Sequence, residues 1–149
     1  MRSTWFLSAH KRLISDADYG AGVLTDRQRR GAAGEDAAAE YLVRLGWRLV
    51  VRNLRIGRDE IDVLAVDPGP PHTLVVVEVR SLRTSAFGEP EERVDRRKVG
   101  RLYRALAGLS GALESDEGLD RLPRRVDLVV IDRRSGRAEI RHMRALEPA

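Results

Sequence analysis

Two short apolar segments carry carboxylates at positions where they could hold a cation. Asp62 lies in the segment 59–66, and Glu78 interrupts the apolar segment 73–80. A run of apolar residues is typical of a strand buried on both faces, and a carboxylate near the end of such a strand is costly unless a positive charge holds it. If the segments form a hairpin about the connector 67–72, the two carboxylates become cross-strand neighbours, about 4.5–8 Å apart. A slip of one residue would place them on opposite faces.

Two further charged residues lie on the apolar faces of predicted helices. Glu35 is in the helix predicted for residues 26–45, about 20° around the helix axis from Leu42. Lys98 lies with Leu102 on the stripe of the second predicted helix that faces the core. Each has an ordinary structural explanation, because a glutamate in the first turn favours a helix N-terminus and a lysine can extend its ammonium from a buried stem to water. Position alone leaves both explanations open.

The spacing places three carboxylates, Glu35, Asp62 and Glu78, in one region, with Arg80 one pleat beyond Glu78 on the same strand. Mg²⁺ or Mn²⁺ prefers carboxylate and carbonyl oxygens and keeps several waters. A cation held there could bind a phosphate oxygen, lower the pKa of a water and stabilise the charge that develops as an ester breaks. The alternative is that Asp62 pairs with Arg80 across the strands and Glu78 pairs with another arginine.

Hydrophobic periodicity and turn residues predict the elements that position these side chains. The predicted order is α-β-β-β-α-β-β: a helix over 26–45, strands over 47–53, 59–66 and 73–80, a loop over 81–92, a helix from an N-cap at Asp95 to about Leu113, and strands over 125–132 and 137–143. A meander of three strands, a helical crossover and a further strand give an α/β fold, with a mixed central sheet of about five strands flanked by helices.

Composition bounds the class of protein. The 149 residues suffice for one core, and we expect a poorly ordered extension over 1–25, one domain over 26–145 and a tail over 146–149. The absence of Cys excludes disulfides, thiolate metal sites and Cys nucleophiles, and it fits a cytoplasmic location. No apolar run approaches the roughly 20 residues of a membrane span. The net charge is +4, and the basic residues are arginines except for Lys11 and Lys98. This arginine-rich, basic composition favours a polyanionic partner.

Several spaced motifs resemble, in one order, those of the YraN-like family of small bacterial proteins: Gly31-x-x-Gly34-Glu35-x-x-Ala38-x-x-Tyr41-Leu42, Asn53, Glu60-Ile61-Asp62, Val77-Glu78-Val79-Arg80, Phe87-Gly88 and Val94-Asp95-x-x-Lys98. That family is similar to the PD-(D/E)xK superfamily of restriction-endonuclease-like folds, close to archaeal Holliday junction resolvases. The resemblance covers residues 31–143. It implies that Asp62 and Glu78 are metal ligands and that Glu35 completes the site.

The chain departs from the superfamily pattern at two positions. Arg80 stands at the superfamily's lysine, and a guanidinium stays protonated, so it can stabilise charge but cannot act as a base. The metal alone would then have to activate the attacking water, or Lys98 would take over the role of the superfamily's lysine. Asp59 stands where the family commonly has glycine.

The resemblance implies a Mg²⁺- or Mn²⁺-dependent endonuclease that hydrolyses DNA phosphodiester bonds, with branched or structured DNA as an expected substrate. The expected catalytic residues are Asp62, Glu78, Arg80 and Lys98, and the arginines expected to contact DNA are Arg58, Arg83, Arg97 and Arg101. A homodimer is expected if two symmetric cuts are made. The alternatives are a nucleic-acid-binding protein without catalysis on the same fold, and an interaction protein that uses its sheet edge or the apolar residues Trp5-Phe6-Leu7.

Overall fold

The computed structural model describes residues 26–82, 94–109, 113 and 118–149, with the side chains of 26–30 left out. The predicted extension 1–25, Arg83 and the Phe87-Gly88 motif lie outside the described residues. The described part contains, in chain order, α1 (Asp26–Arg44), β1 (Arg48–Ile56), β2 (Asp59–Asp67), β3 (Thr73–Leu82), α2 (Arg96–Gly108), a short 3-10 turn (Leu119–Arg121), β4 (Arg124–Asp132) and β5 (Glu139–Met143). The predicted order is confirmed.

The five strands form one mixed sheet in the order β1-β2-β3-β4-β5. Strands β3 and β4 are parallel neighbours, and the other pairs are antiparallel. A parallel pair cannot be joined by a tight turn, and the chain between β3 and β4 contains α2. The central strands β3 and β4 are buried along most of their length, as the apolar runs in the sequence predict.

Apolar side chains on the two faces of the sheet pack against different helices. On one face, Ala38 and Leu42 of α1 pack in a cluster with Val63, Val75 and Val129. The α1 helix ends just before Gly46, whose positive φ of 85° is the left-handed conformation that closes many helices. This cluster holds α1 across the middle of the sheet.

The other face is covered by α2. Its buried residues Val99, Leu102 and Leu106 pack in a cluster with Leu64 and Val76 of the sheet. The predicted N-cap is confirmed, because the Asp95 carboxylate accepts hydrogen bonds from the backbone N–H groups of Arg97, at 2.9 Å, and Lys98, at 3.3 Å. The cap therefore fixes the first turn of α2, which carries Lys98.

Several predicted boundaries are wrong. Strand β1 continues past Asn53 to Ile56 because it pairs with β2 along its length. Strand β3 continues to Leu82 rather than ending in a loop at Ser81, because β4 pairs with it that far. Helix α2 ends at Gly108 rather than near Leu113, and β5 begins at Glu139 rather than at 137. In each strand, pairing with a neighbour decides the end.

The segment after β5 packs against α2. The backbone N–H of Leu146 donates to the carbonyl of Val126 at 2.8 Å, and the hydroxyl of Tyr103 donates to the carbonyl of Leu146 at 3.2 Å. The Leu146 side chain packs against the cluster under α2. These contacts hold the end of the chain beside α2. Among the described residues, no helix is both long and apolar enough to cross a bilayer.

A buried carboxylate fastens β4 to β5 and to the segment after it. Asp127 is fully buried and accepts hydrogen bonds from Arg125 Nε at 2.8 Å, His142 Nε2 at 2.9 Å and the backbone N–H of Ala145 at 3.0 Å. Burial alone would raise the pKa of Asp127, but the hydrogen bonds from His142 and Arg125 outweigh it and lower that pKa. Arg125 also contacts Asp67 at 2.8 Å, so the network links β4 to the end of β2.

We predict that Asp127→Ala lowers the free energy of unfolding by about 3 kcal/mol, because it leaves the Arg125 guanidinium buried with one partner removed. Urea unfolding at pH 7 measures the change. The matched control is Glu139→Ala, which removes an exposed carboxylate from β5 and should change stability by less than about 0.5 kcal/mol. Equal effects of the two substitutions would contradict the role given to the buried network.

Candidate functional site

Asp62 and Glu78 face each other where β2 and β3 separate. The β2–β3 ladder pairs Val63 with Val77, and continuing that register places Asp62 opposite Glu78. The register assumed for the hairpin is therefore confirmed. Beyond this point the backbone N–H of Val79 donates a hydrogen bond to the side chain of Asp62, at Oδ2 and 2.8 Å, instead of to a backbone carbonyl of β2. The carboxylate thus takes the place of a strand-to-strand hydrogen bond.

Side chains alternate between the two faces of a regular strand, and β2 departs from this alternation at Ile61. Ile61 packs in the cluster under α2 with Leu64, whereas Val63 packs in the cluster under α1. The pattern breaks at Asp62, and the residue across from it on β1, Asn53, has a positive φ of 52°. Asn tolerates the left-handed conformation better than most residues. The backbone is therefore irregular on both strands at this level, and this irregularity determines where the Asp62 side chain lies.

Burial and neighbouring charge raise the pKa of Asp62 to about 7. Burial is the largest cause, and the negative charges of Glu78 and then Glu35 act in the same direction. The hydrogen bond from Val79 and the charge of Lys98 oppose the increase. A carboxyl group in this state gains more than an ordinary aspartate from a cation that arrives beside it.

Lys98 brings a positive charge to Glu78. Its ammonium donates a hydrogen bond to Glu78 Oε1, and the Glu78 side chain is mostly buried while that of Lys98 is partly exposed. The positive charge expected beside the buried carboxylate of Glu78 is therefore supplied by a lysine of α2. The second oxygen, Glu78 Oε2, is buried and makes no hydrogen bond among the described residues. A buried carboxylate oxygen without a donor is an expensive feature.

Glu35 approaches the pair from α1. It is half-buried, and burial raises its pKa, while a hydrogen bond from Asn53 and the charge of Arg52 oppose the increase. Its negative charge contributes to the raised pKa of Asp62, so the two carboxylates lie within electrostatic reach. The neighbouring Asp36 is exposed and binds Arg52 at 2.7 Å. Glu35 is thus the less exposed of the two neighbouring carboxylates, in agreement with its predicted position on the apolar face of the helix.

A glycine lets α1 come this close. A Cβ built on Gly34 would lie 1.9 Å from the Ser81 Oγ of β3 and 3.2 Å from its Cβ. Any side chain at position 34 would push the helix or Ser81 away. Because Glu35 is the next residue, Gly34 sets the distance between Glu35 and the strand that carries Glu78.

Carboxylates are donors that a hard divalent cation prefers, but here they are not gathered into a cage. In the ranges that the structure describes, no group of three His, Cys, Asp or Glu side chains is arranged to hold a metal ion. Lys98 holds one oxygen of Glu78, and the Val79 N–H holds one oxygen of Asp62. The buried Oε2 of Glu78 and the high pKa of Asp62 are the features that a cation would relieve.

The remaining predicted catalytic residue, Arg80, lies beside the carboxylates. Arg80 is half-buried and lines a recess with Glu78, Lys98 and Leu146. The structure therefore brings together the four predicted catalytic positions on β2, β3 and α2, with Glu35 next to them.

The arginines predicted to contact DNA are not equivalent. Arg58 is exposed in the β1–β2 turn, and Arg97 is exposed at the start of α2. Arg101 forms an ion pair with Asp59 at 3.2 Å, and this pair joins α2 to the start of β2.

Three residues that shape the site have no role assigned by the sequence pattern. They are Asn53, which gives β1 its irregular step, Gly34, which admits α1, and Leu146, which lines the recess. Of the three, only Gly34 could have been assigned a role from the sequence, since a small residue on a helix allows close approach to a neighbouring strand.

Comparisons with known proteins place the carboxylates inside a shared region. The Uncharacterised protein family UPF0102 matches residues 34–131. A UPF0102 protein of Arthrobacter sp. is 38% identical over 117 residues, covering 78% of this chain and 93% of the relative. One of Paenarthrobacter aurescens is 36% identical over 125 residues, covering 83% and 98%. One of Persephonella marina is 44% identical over 75 residues, covering 50% and 62%.

We predict that Asp62→Asn stabilises the fold at pH 8 and not at pH 4. Because the folded pKa lies above the unfolded value of 3.8, the folded state binds more protons, and this group lowers stability as pH rises from about 4 to about 7. Asparagine can still accept the hydrogen bond from Val79. The expected gain at pH 8 is on the order of 2 kcal/mol.

Urea unfolding at both pH values measures this difference. The control is Glu60→Gln, an exposed carboxylate on the same strand. A gain from Asp62→Asn that is the same at pH 4 and pH 8 would contradict the burial and repulsion assigned to Asp62.

Proposed function

The chain belongs to the UPF0102 family, and on that premise we propose that it is a metal-dependent nuclease that hydrolyses DNA phosphodiester bonds. The observation that carries the proposal is the carboxylate pair of partly buried Asp62 and buried Glu78, which the fold holds together at a cost. Such a pair is easier to explain by a cation-dependent role than by stability, since a purely structural site would avoid like charges. The motifs that resemble those of the PD-(D/E)xK superfamily support the same reaction.

The proposed ligands of the metal are Asp62, Glu78 and Glu35, and Mg²⁺ or Mn²⁺ is the proposed ion. Two features support this assignment: Glu78 Oε2 makes no hydrogen bond among the described residues, and the pKa of Asp62 is raised. A divalent ion there would polarise a phosphate oxygen and lower the pKa of a water. For Glu78 to become a ligand through both oxygens, Lys98 would have to release Oε1.

Lys98 and Arg80 have different proposed roles. The Lys98 ammonium is on a flexible stem beside Glu78 and would contact the phosphate or orient the attacking water after leaving that carboxylate. Arg80 lines the same recess and would donate hydrogen bonds to the phosphate as negative charge accumulates. Because guanidinium keeps its proton, Arg80 is assigned charge stabilisation and no base function.

We predict that Asp62→Asn and Glu78→Gln each lower the rate of Mg²⁺-dependent cleavage by at least about 100-fold, since each removes a ligand charge from the site. The assay presents purified protein with linear, nicked and branched DNA in Mg²⁺ or Mn²⁺. The control is Glu139→Gln, an exposed carboxylate on β5 that should leave the rate unchanged. Full activity in both site variants would rule out the proposed centre.

Arg80 offers a second test. We predict that Arg80→Ala slows cleavage by about 100-fold, because it removes one stabilising cation, whereas Arg80→Lys stays within about tenfold of the wild type. Single-turnover rates measure the chemical step. Equal losses in the two variants would show that the positive charge at this position is not what the reaction uses.

A second candidate function is nucleic-acid binding without cleavage. The contact between Lys98 and Glu78 favours it, because the protein itself already supplies a cation to that carboxylate, and Arg80 at the superfamily's lysine position points the same way. This candidate predicts salt-sensitive DNA binding and no product with either metal. A metal-dependent product that disappears in Asp62→Asn would exclude it.

A further inference from the structure

The outer edge strand β1 and its two ends carry exposed arginines that form no ion pair within the described residues. Arg48 and Arg55 are exposed on β1, and Arg44 and Arg58 are exposed just before and just after it. Among the described residues, none of the four lies within 4.0 Å of an acidic side chain, by the ion pairs that the structure contains. We refer to these four residues as the β1 arginine row.

The acidic residues closest in sequence to the row are engaged elsewhere or stay apart. Asp36 binds Arg52, and Asp59 binds Arg101. Glu60 lies across the ladder from Arg55 but is exposed and makes no ion pair with it within the described part of the chain. Within the described residues, the row is therefore left without a direct ion pair, with Glu60 as the acidic residue opposite Arg55.

At the opposite edge of the sheet, several basic groups are paired. On β5 and in the turn before it, Arg141 and Arg134 bind Asp132 at 3.2 and 2.6 Å, and His142 binds Asp127 at 2.9 Å. Carboxylates of β4 thus compensate these basic groups, whereas the arginines of the β1 arginine row have no such partners in the described ranges. Charge complementarity favours a polyanion at β1.

The row passes beside the carboxylates. Asn53 of β1 lies across from Asp62, and Arg48 and Arg55 lie on either side of that level along the strand. Arg48 projects from the face under α2, as does Val66 across from it, and Arg55 projects from the face under α1, so the two side chains flank the strand edge from opposite faces. At about 3.3 Å per residue, the two arginines are separated by about 23 Å along the strand. Along the axis of a DNA duplex this length covers about seven base pairs, at about 3.4 Å each. Asp62 lies one strand away from β1, about 4.8 Å.

We propose that the β1 edge is a track for the phosphate backbone of duplex DNA, and that it holds the strand on both sides of the bond to be cut. The proposal rests on the nuclease function proposed above and specifies its substrate. DNA held on both sides of Asp62 presents an internal phosphodiester, so the substrate is a continuous strand within a duplex rather than a free end. Arg44 and Arg58 extend the contact beyond the two ends of β1.

Arginines on an edge strand have a competing explanation, since charge there also prevents pairing with another sheet. The two explanations predict different effects when the charge is removed. Loss of a DNA track weakens DNA binding in a salt-dependent way. Loss of a protective charge instead causes self-association of the protein.

The experiment compares wild type with Arg48→Gln/Arg55→Gln, using a fluorescein-labelled DNA duplex of about 20 base pairs. Binding is measured in EDTA over a series of KCl concentrations, so cleavage plays no part. The matched control is Arg121→Gln/Arg137→Gln, which removes the same charge from exposed arginines outside the row. Arg48→Lys/Arg55→Lys keeps the charge. Circular dichroism and gel filtration establish whether each variant is folded and monodisperse.

We expect the double glutamine variant to reduce the slope of log affinity against log salt by about 1.8, or about 0.9 for each lost phosphate contact. The control and the lysine variant should keep the wild-type slope to within about 0.5, roughly half of one contact. A wild-type slope in the double glutamine variant overturns the proposal, and so does an equal loss in the control. Self-association without a change in slope also overturns it and assigns the row to protection of the edge.

Failure of the track and failure of the proposed nuclease function give different results. If Asp62→Asn has no effect on cleavage while the row variant weakens binding in EDTA, the nuclease assignment fails and the DNA track stands. If cleavage requires Asp62 while the row variant binds as wild type, the track fails and the nuclease assignment stands.

Discussion

One hydrogen bond, from the backbone N–H of Val79 to the carboxylate of Asp62, fixes the geometry on which the rest of the site depends. It replaces a rung of the β2–β3 ladder and holds Asp62 opposite Glu78 although both carry acidic groups. The strands part at this point, and the gap between them is where the two helices bring further charge. Without this bond, repulsion between the carboxylates would favour moving Asp62 toward solvent.

Two helices converge on the gap from opposite faces of the sheet. Gly34 allows α1 to approach β3 so that Glu35 comes within electrostatic reach of Asp62, and the cap at Asp95 fixes the start of α2 so that Lys98 contacts Glu78. Three acidic groups and one ammonium therefore share a partly buried space. The positions of the two helices set this balance of charges, because each helix is held against the sheet by its own apolar cluster.

Much of this arrangement could be predicted from local sequence. The symmetric hairpin gave the register of Asp62 and Glu78, because the strand lengths and the Pro/Gly connector leave few alternatives. The position of Asp95 before an apolar stripe predicted the cap, and 3.6-residue periodicity placed Lys98 toward the core. These are short-range rules, and each depends on residues close together in the chain.

What could not be predicted depends on contacts between distant segments. The reversal of Ile61 to the α2 face accompanies the left-handed backbone of Asn53 on the neighbouring strand, and period-two alternation carries no signal for it. The extra length of β3 is imposed by β4, and the packing of Leu146 against α2 comes from the end of the chain. The partner of Glu78 was not predicted either: the sequence suggested a metal ion or an arginine, whereas α2, a distant segment, brings Lys98 to it.

The most direct test of the proposed metal centre is anomalous diffraction from a crystal soaked in Mn²⁺. We predict an anomalous peak within coordination distance, about 2.2 Å, of carboxylate oxygens of both Asp62 and Glu78, with the Lys98 ammonium displaced from Glu78. A crystal in which Mn²⁺ binds elsewhere, or in which Lys98 stays on Glu78 and no peak lies between the two carboxylates, would contradict the proposed centre.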